Sequence, residues 1–369
     1  MKIILFCRSL ISDWNHGSAH FLRGVVSELT ARGVDVLVFE PKTTKGSGDF
    51  LPEPGTESVD GFKRAYPDIQ VRSYDPATLD VHRALSGADA VIVQAWTDPD
   101  LVRRIGEHHT HKGHYVLLFN DAHHRVITEP EEAARFDLQN YDGVLAFGRV
   151  IRDLYMKEHL ARDAWTWHEA ADTRLFVPMQ SQKEGDLVWI GNWGDGDRSA
   201  EMREFLYGPV KSLGIRAKVY GAQFPSSAVR EMERAGIEYA GWIPNFRVPE
   251  IFSKYRLTVH VPRKVFASAL PGIPTIRVFE ALACGIPLIS APWNDSERLF
   301  TRADFLTARS GEEMAAQISW VLHNEAAARE IASHGRRTVL EQHTCSHRAD
   351  ELLQIVDNAQ REMARRQSA

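Results

Sequence analysis

The sequence predicts an α/β protein of two doubly wound, Rossmann-like domains facing one cleft. Three observations carry that expectation. The chain has 369 residues, too many for one ordinary core and suited to two domains of about 150 to 200 residues. Short apolar runs alternate with amphipathic stretches from the first residues onward. One polar break interrupts that rhythm near the middle.

Taken in order, Ile3 to Cys7 is an apolar run and "RSLISDWNHGS" a turn-rich loop. In "AHFLRGVVSELTARG", Phe21, Leu22, Val25, Val26 and Leu29 recur at helical spacing up to a terminating Gly33. The run "VDVLVFE" then completes a β-α-β unit of the crossover length that a parallel sheet needs. "IQVRS", "ADAVIVQAW", "HYVLLFN", "YDGVLAF" and "DAWTWHE" continue the strands. The break is "DTRLFVPMQSQKEGD", which sets a first domain at 1–172, a linker at 173–186 and a second domain at 187–345. The second domain restarts with "DLVWIGN", a Gly-rich loop and the helix "SAEMREFLYGPVKSLG", followed by "AKVYG", "IEYAG", "LTVHV" and "IPLISA". From about Gly311 the pattern is helical. Its last part, 346–369, is amphipathic and expected to lie back across the first domain.

Charge and cysteines exclude several classes. A net charge of −5 with 25% interspersed charged residues offers no basic stripe, so no nucleic acid and at most peripheral membrane contact is expected. Cys7, Cys284 and Cys345 are too few and too scattered for a disulfide framework or a C-x-x-C metal site. The apolar run before Arg8 is too short for a signal peptide, and no stretch reaches the ~20 apolar residues of a membrane span. The expected address is the cytoplasm.

Ligands of doubly wound sheets bind at strand-to-helix loops. "WIGNWGDGDRS" offers Gly191, Asn192, Trp193, Gly194, Gly196 and Arg198 as a phosphate cradle. The alternative is a plain turn with Asp195 and Asp197 capping the helix. A helix with Pro274 just inside its start runs through "TIRVFEALACG" and puts Arg277 and Glu280 on one face. Read from physics alone, they are an exposed pair worth under about 1 kcal/mol. "FNDAHHR" sets Asp121, His123 and His124 directly after a strand, and "SDWNHGSAH" sets Gly17 and His16 after another. These are either ligand contacts or, respectively, a structural Asp–His pair and a helix cap. "GEHHTHKGH" reads as a solvated helix end, and no metal site is expected. "DGD" at 195–197 is the nearest thing to an Asp-x-Asp.

"IPTIRVFEALACGIPLIS" resembles the E-A-x-A-x-G-x-P segment of retaining GT-B glycosyltransferases and is similar to their CgeB-like subgroup; "WHEAADTRLFVP" resembles the element closing their first domain. The resemblance implies that Glu280 accepts hydrogen bonds from the ribose of a nucleotide-sugar donor. It places two cations on the diphosphate, here Arg198 with Arg263 or Lys264, the latter two equally readable as a solvated loop. It places His123 or His124, with Asp121 orienting the ring, on the transferred sugar. The family's first acid would fall at Gly272, which with Ile273 offers only backbone groups. The implied activity is metal-independent transfer of a sugar from a UDP-linked donor, with retention, to an unspecified acceptor. The nucleotide sugar is a co-substrate and no cofactor is needed. The alternatives are a nucleotide-sugar epimerase or phosphorylase, or a catalytically silent glycan- or partner-binding module.

Overall fold

The computed structural model describes residues 1–10, 17–42, 56–194 and 196–368. Among these residues it divides into two compact units: 1–10 and 18–169 together with Cys345 onward, and Gly17 with Ala170–Thr344.

The first unit is built on a seven-stranded sheet in the order β3-β2-β1-β4-β5-β6-β7. Its strands are β1 (Lys2–Phe6), β2 (Asp35–Pro41), β3 (Gln70–Tyr74), β4 (Ala90–Gln94), β5 (Val116–Asp121), β6 (Gly143–Ala146) and β7 (Ala164–Thr166). All pairs are parallel, with Ile3 opposite Val36 on one side and Ala90 on the other. Strands β4 and β5 are buried along their whole length, which is why they read as unbroken apolar runs rather than alternating ones. The C-terminal helix Cys345–Ser368 packs in this unit. Arg32 pairs with Asp350 at 2.6 Å, and the Trp167 indole N–H donates to the Arg348 carbonyl at 2.9 Å.

The second unit holds a six-stranded parallel sheet in the order β10-β9-β8-β11-β12-β13. These strands are β8 (Gly185–Ile190), β9 (Ala217–Tyr220), β10 (Ile237–Tyr239), β11 (Tyr255–His260), β12 (Leu288–Ser290) and β13 (Leu306–Thr307). Strand order reverses between β1 and β4 in one unit and between β8 and β11 in the other. Outside the carboxyl ends at each reversal lies the crevice where such sheets take ligands.

Three local features depart from the sequence reading. The segment 173–186 is no plain linker: Phe176 is 2% exposed in the second unit's core, and Gly185 already begins β8. The helical stretch from Ser199 to Leu213 contains a π turn, Arg203–Tyr207. Pro209, which has no N–H, lies two residues beyond it, and the Gly208 N–H bonds back five residues to the Arg203 carbonyl. The helix Ile276–Ala283 has Thr275 at its N-cap position, so Pro274 lies outside it. Among the described residues no helix is long and apolar enough to cross a membrane.

Candidate functional site

The second unit's reversal point is built by the loop after β8 and the segment after β11. The loop does not form a phosphate cradle at its start. The N–H of Gly191 donates to Tyr220 O and that of Trp193 to Ala222 O, so neither faces a ligand. Capping is also unlike the expectation: the helix beginning at Ser199 has no side-chain cap. Asp195 lies outside the described residues, and Asp197 pairs with Arg263 at 3.3 Å. Gly194 has φ +66, and a Cβ there would come within 3.2 Å of the Arg263 guanidinium, so the turn needs glycine on both counts.

Arg198 is the centre of this edge. It is 9% exposed. One Nη donates to Val261 O at 3.1 Å, the other to Asn192 O, and the guanidinium lies 4.9 Å from the Trp189 ring centroid. Burial pushes its pKa down to about 10. Its bonds thus span the reversal from β8's loop to β11's, using carbonyl oxygens rather than acids. Lys264 is exposed at the start of a short helix, Lys264–Ser268, rather than in a loop.

Beneath this edge sits a network that sequence reasoning missed. The His260 ring, at the end of β11, is fully buried between the Ser290 hydroxyl (2.9 Å from Nδ1) and the Thr275 hydroxyl (3.0 Å from Nε2). Ser290 spends its own proton on Ala291 O, so it accepts from Nδ1–H and Thr275 donates to Nε2. That is a neutral imidazole. Desolvation, then the Arg198 charge, lowers its pKa to about 3. The advance signal was a histidine within the strand run "LTVHV".

Glu280 is not the exposed partner that its helical spacing suggested. It is 1% exposed. Asn245 Nδ2 donates to Oε1 at 2.9 Å and Arg277 Nη1 donates to Oε2. The helix turns this face inward because Val278, Phe279, Ala281 and Leu282 are all core residues. Gly272 has φ +87, and a Cβ there would lie 2.3 Å from Glu297 Cγ. Its N–H and that of Ile273 are committed to Asn294 O and Leu270 O. The backbone donors expected at this turn are therefore spent, and Ile273 is buried.

In the first unit, Asp121 ends β5 at 4% exposure. It accepts from the Tyr155 hydroxyl at 2.9 Å and from the His123 backbone N–H at 3.1 Å. It therefore positions the loop through the main chain, not through the imidazole, and burial raises its pKa to about 6. The His123 ring meets Trp96 edge-on at 4.8 Å, and His124 Nδ1 lies 2.8 Å from Thr128 Oγ1. Gly17 opens the helix Gly17–Ala31; His16 lies outside the described residues. His108 and His109 are not a solvated helix end, since their rings bond Tyr115 and the Asn140 carbonyl.

Two outcomes follow. Glu280→Ala strips Arg277 and Asn245 of a shared acceptor and should cost about 2–4 kcal/mol, or roughly 5–12 °C in Tm for a unit of this size. Glu280→Gln should cost less, and thermal melts of both variants decide the point: unchanged melting of the alanine variant would refute the structural role. His260 has a folded pKa below the ordinary histidine value of 6.5, so the unfolded chain binds the proton first. Its contribution is full above about pH 6.5 and falls toward pH 3, by at most about 1.4 kcal/mol per unit. The stability gap between the protein and His260→Asn, measured by urea titration, should narrow from pH 7 to pH 4. A gap independent of pH would contradict the neutral buried ring.

Residues 198–354 match a protein family described as "Glycosyl transferase-like". No curated protein matches the chain. Among solved structures it is similar to sucrose-phosphate synthase from Thermosynechococcus elongatus, at 15% identity over 97% of this chain and 98% of that one, with a TM-score of 0.66. It is similar to Anabaena Alr3699/HepE in complex with UDP-glucose, at 12% identity over 97% and 100%, with a TM-score of 0.67. It is also similar to S. aureus TarM in complex with fondaparinux, alpha-GlcNAc-glycerol and UDP, at 9% identity over 96% and 99%, with a TM-score of 0.68. At such identities the likeness speaks for the fold. Residues 198–354 thus match a glycosyl transferase-like domain, and the chain as a whole has the two parallel-sheet Rossmann-like units of the GT-B fold.

Proposed function

We propose that the protein transfers a sugar from a UDP-linked donor to an acceptor held by the first unit, with retention and without a divalent ion. The observation that supports the donor half is Arg198. Among the described residues no carboxylate lies within ion-pair distance of it, although it is nearly buried. A desolvated cation held by carbonyl dipoles and a ring face is stabilised by an incoming anion. A diphosphate gains negative charge as its bond to the sugar breaks, and a preorganised guanidinium meets that charge without reorganising. Arg263 adds a second guanidinium, since its partly exposed 3.3 Å pair with Asp197 is weak enough to exchange for a phosphate.

In this reading Glu280 receives the ribose. A carboxylate accepts as many as about four hydrogen bonds, so its bonds to Asn245 and Arg277 are compatible with that contact and fix its orientation. The choice of UDP follows the relatives solved with UDP or UDP-glucose. Retention, the E-x7-E type and the CgeB-like subgroup follow the motif around residues 273–290. The acceptor oxygen bonds the anomeric carbon as the carbon–oxygen bond to the diphosphate breaks, and the acceptor proton leaves with the diphosphate. His123 and His124 contact the transferred sugar, with Asp121 holding their loop.

Calorimetric titration with UDP in EDTA tests the donor site. Binding should persist, and at 100 times Kd it should add about 2.7 kcal/mol of stability. Arg198→Met, an apolar replacement that a buried site tolerates, should weaken UDP about 10- to 100-fold. Binding that returns only with Mn²⁺, or an unaffected variant, would defeat the proposal. For the sugar contact, His123→Ala or His124→Ala should lower kcat at least about tenfold while leaving UDP affinity alone. Equal kcat in both variants would remove these residues from the reaction.

A further inference from the structure

Asn245 reaches Glu280 from a different element and leaves one of its own atoms unused. It opens the 3-10 turn Asn245–Arg247 in the connection after β10, directly behind Pro244, and that turn runs into the helix Val248–Ser253. Val248, Ile251 and Phe252 anchor this helix in the core that also holds Val278, Phe279 and Leu282. Two helices fixed on one core thus set Asn245 and Glu280 against each other. Both residues belong to a strand-to-helix connection or the helix that follows it, the side on which such a sheet takes its ligand.

Asn245 is 3% exposed. Its Nδ2 donates to Glu280 Oε1 at 2.9 Å, and among the described residues nothing donates to its Oδ1. The carboxylate decides which amide atom is which, because the reversed amide would set oxygen against oxygen. What remains is a buried acceptor without a donor, a group that proteins rarely leave so because its lost hydration is not replaced. An acceptor refuses phosphate and carboxylate oxygens. It takes a hydroxyl or an N–H. Since Oδ1 and Nδ2 share one carbon, a group bonded to Oδ1 lies beside a group bonded to Glu280. A vicinal diol offers two hydroxyls on neighbouring carbons, whereas the uracil N–H lies on the far side of the base from the sugar.

We propose that Asn245 is a specificity residue for the donor: its Oδ1 accepts from one ribose hydroxyl while Glu280 accepts from the other. This role rests on the ribose contact assigned to Glu280 under the transfer reading. One amide then serves twice, holding the carboxylate with its N–H and reading the second hydroxyl with its oxygen. The site therefore takes ribonucleotides in preference to deoxyribonucleotides.

The intact protein is titrated calorimetrically with UDP, 2′-deoxy-UDP and 3′-deoxy-UDP. The same three ligands are titrated into Asn245→Leu, of similar size and without polar atoms, and into Asn245→Ser, which stays polar and serves if the leucine variant does not fold. In the unaltered protein each deoxy analogue should bind about 3- to 10-fold more weakly than UDP, one for each lost contact. In the variants the penalty for one missing hydroxyl should vanish while the other persists, and the one that vanishes identifies the hydroxyl that Asn245 reads. A residue that merely orients Glu280 would, when replaced, diminish both penalties together. Loss of both penalties in step, or two penalties untouched by the substitutions, would overturn the proposal while the donor reading stands. If both deoxy analogues bind the unaltered protein as tightly as UDP does, the ribose contact of Glu280 falls as well. If no uridine nucleotide binds, the donor reading itself is wrong, and the role of Asn245 goes with it.

Discussion

Every ladder pair in both sheets is parallel, and the remaining chemistry depends on that constraint. Parallel strands cannot be joined by tight turns, so each strand hands over to a crossover and each sheet gathers its strand-to-helix loops at one edge. The central strands β4 and β5 are buried along their whole length. Polar side chains with a task are left to the loops and the last residue of a strand, and Asp121, His260, Arg198 and Glu280 all lie there or on the helix that follows.

The second unit shows how such groups are kept compatible at close quarters. Arg198 is a cation with little water, so a second cation beside it would be costly. His260 is held neutral by two hydroxyls, and the Arg198 field acts in the same direction as burial. Thr275 pays for this arrangement, since its hydroxyl serves His260 and the helix Ile276–Ala283 goes without a side-chain cap. Glu280, on that same helix, is a buried acid that both Asn245 and Arg277 reach.

Much of the fold was legible because burial on both faces of a parallel sheet leaves a plain mark in residue type. Twelve of the strands fall on the apolar runs quoted from the sequence. β13 does not, being two partly or fully exposed residues, Leu306 and Thr307, too few for any periodicity. The site was legible in its members more than in its bonds. Glu280, Arg198 and Arg263 could be named from their positions, but a sequence does not say who takes each donor. Thus the Gly191 and Trp193 amides were open to a phosphate role until Tyr220 and Ala222 were seen to accept from them. Glu280 passed for a surface residue because three-residue spacing to Arg277 is the same on a buried face as on an exposed one.

Gly272 was first notable for the acid it lacks. The Glu297 side chain fills the volume that any side chain at 272 would need, with Oε1 within 2.8 Å of the missing Cβ. Positions 272 and 297 therefore exclude each other: a chain that restores an acid at 272 must both shed bulk at 297 and abandon the left-handed turn. The two sites should vary together among related sequences, so that neither alignment column can be read without the other.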